Sequence, residues 1–323
     1  MKVLVCGTHY GSTYIRALSQ FPQDSFSCVG VLSKGSEYSQ QIAKQTGVPY
    51  YTDVTTVPTD NIDIACVAVS GDAGKAIVLY LLKKGVSVLC EHPVDQAFVQ
   101  EALALAKQQQ VYFHVNGHFA DLYAPQAFLQ SILAAYQQGF GCMHYAMGAN
   151  LRTLYSALDL LGRALGGFEG LEIIKYSGEP MAFQPVMLKN NNLTVSVLCQ
   201  NFSSVEDDGS ATFLNHQCSA LFPHGTLTLS ETTGPLSWFP ASHSLPAESW
   251  KTYMPIELAP MSQLQLMSHR DQCNLAAIAT LAASAKGETQ PVYQQPDYLL
   301  GLSGLWQTVL MTLQPPAKDN CAA

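Results

Sequence analysis

Lys2-Val3-Leu4-Val5-Cys6 is an apolar run of strand length that passes into Gly7-Thr8-His9-Tyr10-Gly11 and then into a helical stretch, Tyr14-Ile15-Arg16-Ala17-Leu18. Strand, glycine-bearing turn and helix together form the setting in which free N–H groups at a helix start hold a pyrophosphate. The fit to G-x-G-x-x-G is incomplete: counting back from Gly11, the earlier glycine positions hold Cys6 and Thr8, with Gly7 between them. The next segments of the chain strengthen the reading. A second strand, Cys28–Leu32, precedes a helix over Glu37–Thr46 and a short strand at Val48–Tyr51. Ile62–Val69 is a buried strand with Ser70-Gly71 at its end, and a helix from Ala73 to Lys84 meets Gly85 at its C-terminal stop position. The strand Val86–Cys90, a helix over Asp95–Gln109 and the strand Val111–Val115 continue the alternation. Strands alternating with helices of ten to fifteen residues imply an α/β fold with a doubly wound parallel sheet, here an N-terminal Rossmann domain over residues 1–120.

From Asn116 onward the alternation stops. Helices are expected over Pro125–Gln138 and Leu151–Leu165, the second closed by Gly166-Gly167. Strand-like segments come next at Leu171–Tyr176, Leu193–Phe202, Ser210–Phe222 and Gly225–Ser230, and their partial alternation suits an antiparallel sheet with one face toward solvent or a partner. Late helices are expected over His269–Lys286 and Pro296–Leu313. Residues 121–295 are therefore read as a substrate and dimerisation domain of α+β type with an open antiparallel sheet. The apolar segment 296–314 is expected to pack back onto the first domain. Asn190-Asn191-Asn192, Glu206-Asp207-Asp208-Gly209 and Ser237–Ser249 read as loops, and the tail after Pro315 as loose.

At 323 residues and 48% apolar content the chain can bury two cores. No apolar run reaches membrane-spanning length, and the N-terminus enters a strand directly, without the pattern of a signal peptide. The nine cysteines show no C-x-x-C pair and no metal-ligand spacing; Cys6, Cys66, Cys90 and Cys199 fall in strand patterns as small apolar residues. This usage implies a reducing, cytoplasmic setting and no metal. A net charge of −8 with few basic clusters argues against a nucleic-acid partner.

The second strand ends in Ser33-Lys34-Gly35-Ser36, with no carboxylate until Glu37. An NAD-binding chain normally carries an acid here for the ribose 2′-hydroxyl. Two hydroxyls and a lysine suit a 2′-phosphate instead, which takes hydrogen bonds and positive charge, so NADPH is the expected cofactor. Gly7, Thr8, His9, Tyr10, Gly11, Ser33, Lys34, Gly35 and Ser36 are its candidate contacts, with Val69 and Ser70 at the end of the next central strand. Glu91-His92-Pro93 comes directly after the Val86–Cys90 strand, whose end faces the crevice where cofactor and substrate meet in such a fold. All three residues join the cofactor candidates, and His92 is also the first candidate acid, because an imidazole donates near neutral pH.

These motifs resemble the glucose–fructose oxidoreductase and inositol dehydrogenase (MocA-like) family, and more narrowly the thiazolinyl imine reductases of siderophore biosynthesis. The resemblance is carried by Val3–Thr8 with Tyr10-Gly11, Gly35-Ser36-Glu37 with Ser39, Asn61–Val67, Glu91-His92-Pro93, and Val115-Asn116 with His118. It covers about the first 120 residues and is topological beyond them. It implies NADPH-dependent reduction of a thiazoline C=N to a thiazolidine, on an intermediate held as a thioester by the carrier domain of a nonribosomal peptide synthetase. It also implies a homodimer formed across the open sheet. Hydride must reach the imine carbon and a proton the nitrogen.

Three departures bear on the chemistry. Where the wider family carries Glu-Lys-Pro, this chain has His92, and where its sugar and polyol dehydrogenases carry H-x-x-D, Ser156 replaces the histidine while Asp159 remains. Both groups that would deprotonate an alcohol are thus missing. The imine reductases are further expected to carry a tyrosine after the histidine of Asn116-Gly117-His118-Phe119, and Phe119 cannot donate a proton. The proton is then expected from His92, His118, Tyr123 or a water between them. Phe119, Asp121, Tyr155, Ser156 and Asp159 are expected to line the substrate pocket, and His114, in mid-strand, is read as a core or interface histidine. The alternatives are another NADP-dependent sugar- or cyclitol-type oxidoreductase of the same fold, and a catalytically idle NADPH-binding regulator.

Overall fold

In chain order the N-terminal part runs β1 (Lys2–Cys6), α1 (Gly11–Gln20), β2 (Ser27–Leu32), α2 (Glu37–Thr46), β3 (Tyr50–Tyr51), β4 (Ile64–Val67), α3 (Gly71–Lys83), β5 (Ser87–Glu91), α4 (Gln96–Gln109) and β6 (Phe113–Asn116). The computed structural model describes residues 1–20, 25–174, 181–190, 193–202, 212–244, 254–256, 258, 261–288 and 290–313. The six strands form one sheet in the order β3-β2-β1-β4-β5-β6, and every pairing is parallel. The strands of such a sheet are covered on both faces and so read as continuous apolar runs; Val3, Leu4, Val5, Cys6 and Ile64–Val67 are all fully buried. Strand order reverses between β1 and β4, which opens a crevice at their C-terminal ends.

Helix boundaries obey local chemistry. Ser36 caps α2 by accepting from the Ser39 N–H, and Gly47 closes it in the left-handed conformation. Asp95 caps α4 through the Phe98 N–H. β4 is shorter than the expected Ile62–Val69, because Ala68 and Val69 leave the sheet to meet the glycine turns. A Cβ on Gly7 would lie 2.4 Å from the Ala68 carbonyl oxygen, and one on Gly74 would lie 1.8 Å from that of Val69. The turns at the crevice therefore require glycine at both positions.

The C-terminal part runs α5 (Tyr123–Gln137), β7 (His144–Asn150), α6 (Leu154–Leu165), β8 (Glu172–Ile174), β9 (Phe183–Asn190), β10 (Leu193–Gln200), β11 (Gln217–Phe222), β12 (Gly225–Leu229), β13 (Leu236–Pro240), β14 (Met254–Ile256), α7 (Gln263–Ala285) and α8 (Pro296–Thr312). Its strands form a second sheet, β14-β13-β12-β11-β7-β10-β9-β8. The pairings are antiparallel except β7–β10, which is parallel. Buried and partly exposed residues alternate along β9 to β12, as on a sheet covered on one face.

The chain divides into two units, one of Met1–His118 with Met261–Leu300, the other of Phe119–Pro260 with the chain from Gly301 on. In the first, Ile278, Leu281 and Ala282 of α7 join Val3, Val5, Tyr14, Ile64 and Leu89 in one core. Arg16 of α1 holds the buried Asp271 of α7 with both Nε and Nη2, at 2.6 and 2.7 Å. In the second, α6 packs on β7 and α5 on β12.

Several elements differ from expectation. β7 and β9 arise from stretches not read as strands: His144–Asn150 is rich in Ala, Gly and Asn, and Phe183–Asn190 contains Pro185. Both are held by pairing to the strongly β-forming Leu193–Gln200. β13 occupies part of the expected loop Ser237–Ser249, because Trp238 and Phe239 pair with Leu227 and Thr226. Asn190 likewise belongs to β9. α7 starts six residues early, at a capping box in which Ser262 and Gln265 satisfy each other's backbone N–H. The run Glu206–Gly209, Asn191-Asn192, residues 245–249 and the tail after Pro315 lie outside the described residues.

Gly74→Ala should lower unfolding free energy by about 3 kcal/mol, the upper range for overpacking against fixed backbone. Gly141→Ala, where a Cβ meets nothing within 4 Å, should change it by less than about 0.5 kcal/mol; urea melts of both variants check the contrast.

Candidate active site

The register of β5 on β6 sets Glu91 directly opposite Asn116 at the C-terminal edge of the first sheet. Asn116 is fully buried. Its amide nitrogen, with two hydrogens to share, lies 2.7 Å from Glu91 Oε1, 2.7 Å from Tyr14 Oη and 2.8 Å from Asn274 Oδ1. Tyr14 also donates to Glu91. Burial pushes the Glu91 carboxyl above its ordinary range, against the opposing pull of His92 and of these donors. The Asn116 Oδ1 accepts from the His118 N–H at 3.2 Å, and so sets where the chain leaves the sheet.

His92 comes next to Glu91, with a cis peptide to Pro93. Its Nδ1 lies 2.8 Å from the Asn116 carbonyl oxygen, which can only accept, so Nδ1 carries a proton and Nε2 is the nitrogen that gains or loses one. The Glu91 carboxyl lies 3.9 Å from the same Nδ1. His118 is fully buried; its Nε2 lies 3.1 Å from Tyr10 Oη, and its ring lies 6.3 Å from that of His92. Tyr10 also meets the Asn274 amide at 3.5 Å and carries the Arg270 guanidinium 5.0 Å from its ring centre. Burial, then Glu91, pushes the Tyr10 hydroxyl up to about 12, so it acts as a neutral donor.

At the crevice between β1 and β2 lies a cluster of hydroxyls. Ser39 Oγ sits 2.7 Å from Thr8 Oγ1, 2.9 Å from Ser33 Oγ and 2.7 Å from Ser36 Oγ. Lys34 and His9 are exposed beside it. Residues 33–36 hold no carboxylate. The residues fit a dinucleotide: Gly7 adopts φ +88°, α1 begins at Gly11 with its N-terminal end at the crevice, and the hydroxyl set offers donors where an acid would repel phosphate. Val69 and Ser70 stand at the neighbouring turn, Ser70 as the N-cap of α3.

The second unit gathers most of the expected pocket residues around α6. Asp159 and Asp121 share Arg163, at 3.1 and 2.9 Å. Burial, with Asp159 adding to it, pushes the Asp121 carboxyl up against the pull of Arg163. Ser156 lies one turn before Asp159, its Oγ 2.8 Å from His216 Nε2, and Phe119 stacks on the His216 ring at 4.9 Å. Tyr155 turns the other way: its hydroxyl meets Ser303 at 3.1 Å and its ring packs edge-on against Trp306. Tyr123 is exposed at the start of α5. Sequence reasoning missed Tyr14, Asn274, Arg270 and His216; each is distant in sequence from the group it serves, and none sits in a spaced motif. Ser39 was legible only as part of the resemblance.

A parallel sheet with a glycine turn at its crossover, a hydroxyl-lined crevice and an acid–imidazole pair at a strand end defines a nicotinamide-dependent oxidoreductase with a separate second domain. Residues 1–117 match the model of the GFO_IDH_MocA oxidoreductase family, NAD-binding Rossmann fold. Residues 142–239 match the C-terminal domain of thiazolinyl imine reductase, Irp3-like. The first domain of the chain is thus of the GFO_IDH_MocA oxidoreductase type, and its second part carries an Irp3-like C-terminal domain. No curated relative is similar enough in sequence to match. Among solved structures, UDP-N-acetylglucosamine 3-dehydrogenase GnnA from Acidithiobacillus ferrooxidans is similar with a TM-score of 0.72 at 12% identity, over 97% of each chain. A mutant of the 3-ketoreductase KijD10 from Actinomadura kijaniata, in complex with TDP-benzene and NADP, is similar with a TM-score of 0.72 at 14% identity, again over 97% of each chain. An Agrobacterium radiobacter oxidoreductase in complex with NAD+, L-tartaric acid and magnesium reaches 0.71 at 12% identity, over 97% of this chain and 96% of that one. At these identities the likeness shows the fold. Among the described residues no helix is long and apolar enough to cross a membrane, and no group of three or more His, Cys, Asp or Glu is placed to hold a metal ion.

His114 lies on the same strand as Asn116 but in the core, fully buried, with Nε2 3.0 Å from the Gln290 amide. Burial pulls its pKa down to about 4 from 6.5. The folded ring thus takes its proton only below the pH at which the unfolded ring does, so stability should fall as pH drops from 6.5 through 4, by about 3 kcal/mol in all. His114→Leu should remove this part of the acid sensitivity, since the Gln290 amide keeps the Gln294 carbonyl at 2.6 Å; urea melts at pH 7 and pH 4.5 measure the difference.

Proposed function

We propose that this chain is an NADPH-dependent thiazolinyl imine reductase, acting in the cytoplasm as a homodimer on a thioester-bound chain presented by a nonribosomal peptide synthetase carrier domain. The observation that carries the reading is His92: an imidazole at the end of β5, with Nδ1–H fixed on the Asn116 carbonyl and Glu91 behind it, leaves Nε2 as the nitrogen available to the substrate. A lysine at this place donates poorly near neutral pH unless its pKa is strongly lowered, whereas an imidazole suits protonation of a C=N nitrogen. The match of residues 142–239 to the C-terminal domain of an imine reductase supports the same substrate class. When bound, NADPH supplies the hydride for the imine carbon. The Gly7 turn and the start of α1 hold its pyrophosphate, and Thr8, Ser33 and Ser36, with Ser39 bracing them, receive the 2′-phosphate beside Lys34. His92 protonates the nitrogen, and Glu91 stabilises the imidazolium that precedes that step. Tyr10 and His118 fix the wall beside it.

Two measurements test this reading. NADPH should bind at least about tenfold more tightly than NADH, and Ser33→Asp should reverse the order by like-charge repulsion; equal binding of the two by the unaltered protein, read by fluorescence titration, refutes the 2′-phosphate assignment. With a synthetic aryl-thiazolinyl-thiazoline ester, NADPH consumption should match a gain of two hydrogens on the ring, and His92→Asn should lower turnover about a hundredfold. If neither the ester nor a carrier-loaded substrate is reduced despite cofactor binding, the imine reading fails.

A further inference from the structure

The first unit holds two arginines, Arg16 and Arg270, and they are used differently. Asp271 neutralises Arg16 from two oxygens, at 2.6 and 2.7 Å. Arg270 is the neighbour of that aspartate in the chain, yet among the described residues no carboxylate forms an ion pair with it. Its side chain is half-buried, with the guanidinium carbon 5.0 Å from the centre of the Tyr10 ring. The Nε atom is buried and has no hydrogen-bond partner. A guanidinium kept only for packing on a ring gains little from a charge that nothing balances and a buried N–H that nothing accepts. The charge acts on the strand ends around it. Burial is the larger effect at both Tyr10 and Glu91 and raises each group, and Arg270 pulls each one back.

Tyr10 is the last residue of the turn before α1. The Ser12 hydroxyl donates to the His9 carbonyl at 2.8 Å and the Thr13 hydroxyl to the Tyr10 carbonyl at 2.7 Å, so two acceptors of that turn are engaged by hydroxyls. α1 has no acid in its first turn. A helix N-terminus supplies about half an elementary charge, less than a diphosphate carries. Residues 3–15 contain no lysine or arginine, and the whole chain is at −8, so the remaining positive charge has to come from another part of the fold. α7 brings Arg270 onto this turn. We infer that Arg270 is the cationic partner of the cofactor's diphosphate, with Tyr10 as the platform that holds the planar guanidinium in place. This rests on the dinucleotide part of the reading above and on neither the imine nor the 2′-phosphate. The Ser39 hydroxyl cluster serves the 2′-phosphate end, whereas Arg270 serves a group that NADPH and NADH share.

Fluorescence titration with NADPH and NADH, and displacement of NADPH by ADP-ribose and by adenosine 2′-monophosphate, test the assignment. Arg270→Gln should weaken NADPH, NADH and ADP-ribose by about tenfold or more, with the three losses within about threefold of one another. Adenosine 2′-monophosphate has no diphosphate, and its affinity should stay within about twofold. Added salt should weaken ADP-ribose binding more in the unaltered protein than in Arg270→Gln. If that variant does not fold, Arg270→Met, which keeps an apolar stem against Tyr10, is titrated in its place with the same expectations. A loss confined to NADPH would move the guanidinium to the 2′-phosphate and overturn the assignment. So would affinities unchanged for all three dinucleotide probes, or an equal loss for adenosine 2′-monophosphate. Equal binding of NADPH and NADH by the unaltered protein refutes the 2′-phosphate reading and leaves Arg270 in place, while failure to bind either one overturns both.

Discussion

The pairing of Glu91 with Asn116 across the last two strands of the first sheet is the constraint on which the site depends. A carboxyl group buried at a strand end is costly unless it is hydrogen-bonded. Asn116 and Tyr14 serve it, and Asn274 of α7 accepts from Asn116 in turn. The same asparagine uses its backbone oxygen to fix His92 and its side-chain oxygen to fix the start of the next segment. One residue thus determines the tautomer of the imidazole, the position of its acid and the path of the chain into His118. A register slip by one residue would send every one of these groups to the other face of the sheet.

That network also explains why α7, far along the chain, belongs with the first unit. Its buried stripe of Asp271, Asn274, Ile278 and Leu281 supplies a counter-charge for Arg16, a partner for Asn116, and apolar cover for β1 and β4. The cover and the polar partners are on one helical face, spaced by three and four residues, as packing against a sheet requires. Arg270, next to Asp271, extends over Tyr10 and places a fixed positive charge beside the crevice. The field there is then set by oriented donors and one guanidinium, in a chain whose net charge is −8.

The first domain was legible because its signals are local: apolar runs of strand length, glycine at turns that forbid a Cβ, and capping residues one turn from the helix they start. Ser36 capping α2 and Asp95 capping α4 are readable from four consecutive residues each. The second sheet was harder to read. β7 carries weak strand formers and exists because β10 and β11 pair with both its edges. β13 contains residues that read as loop and is held by β12. The same distinction separates the site residues. His92 and the Ser33–Ser36 turn announce themselves by position at strand ends, whereas Tyr14, Asn274 and His216 each make a contact to a residue 60 or more positions away, which no local pattern encodes.

The replacements at Phe119 and Ser156 look independent in the sequence, 37 positions apart, yet the fold brings both onto His216. A tyrosine at 119 would set a phenol against that imidazole, and a histidine at 156 would set a second imidazole against it. Either would need a different hydrogen-bond pattern at Nε2 or a different packing of the ring face. Ser156 is short enough to accept from Nε2 and still donate onward, and Phe119 fills the face without competing for a proton. The two residues are thus compatible with each other and with an imidazole between them. Their joint presence is better explained by one rearranged hydrogen-bond line than by two separate losses of function.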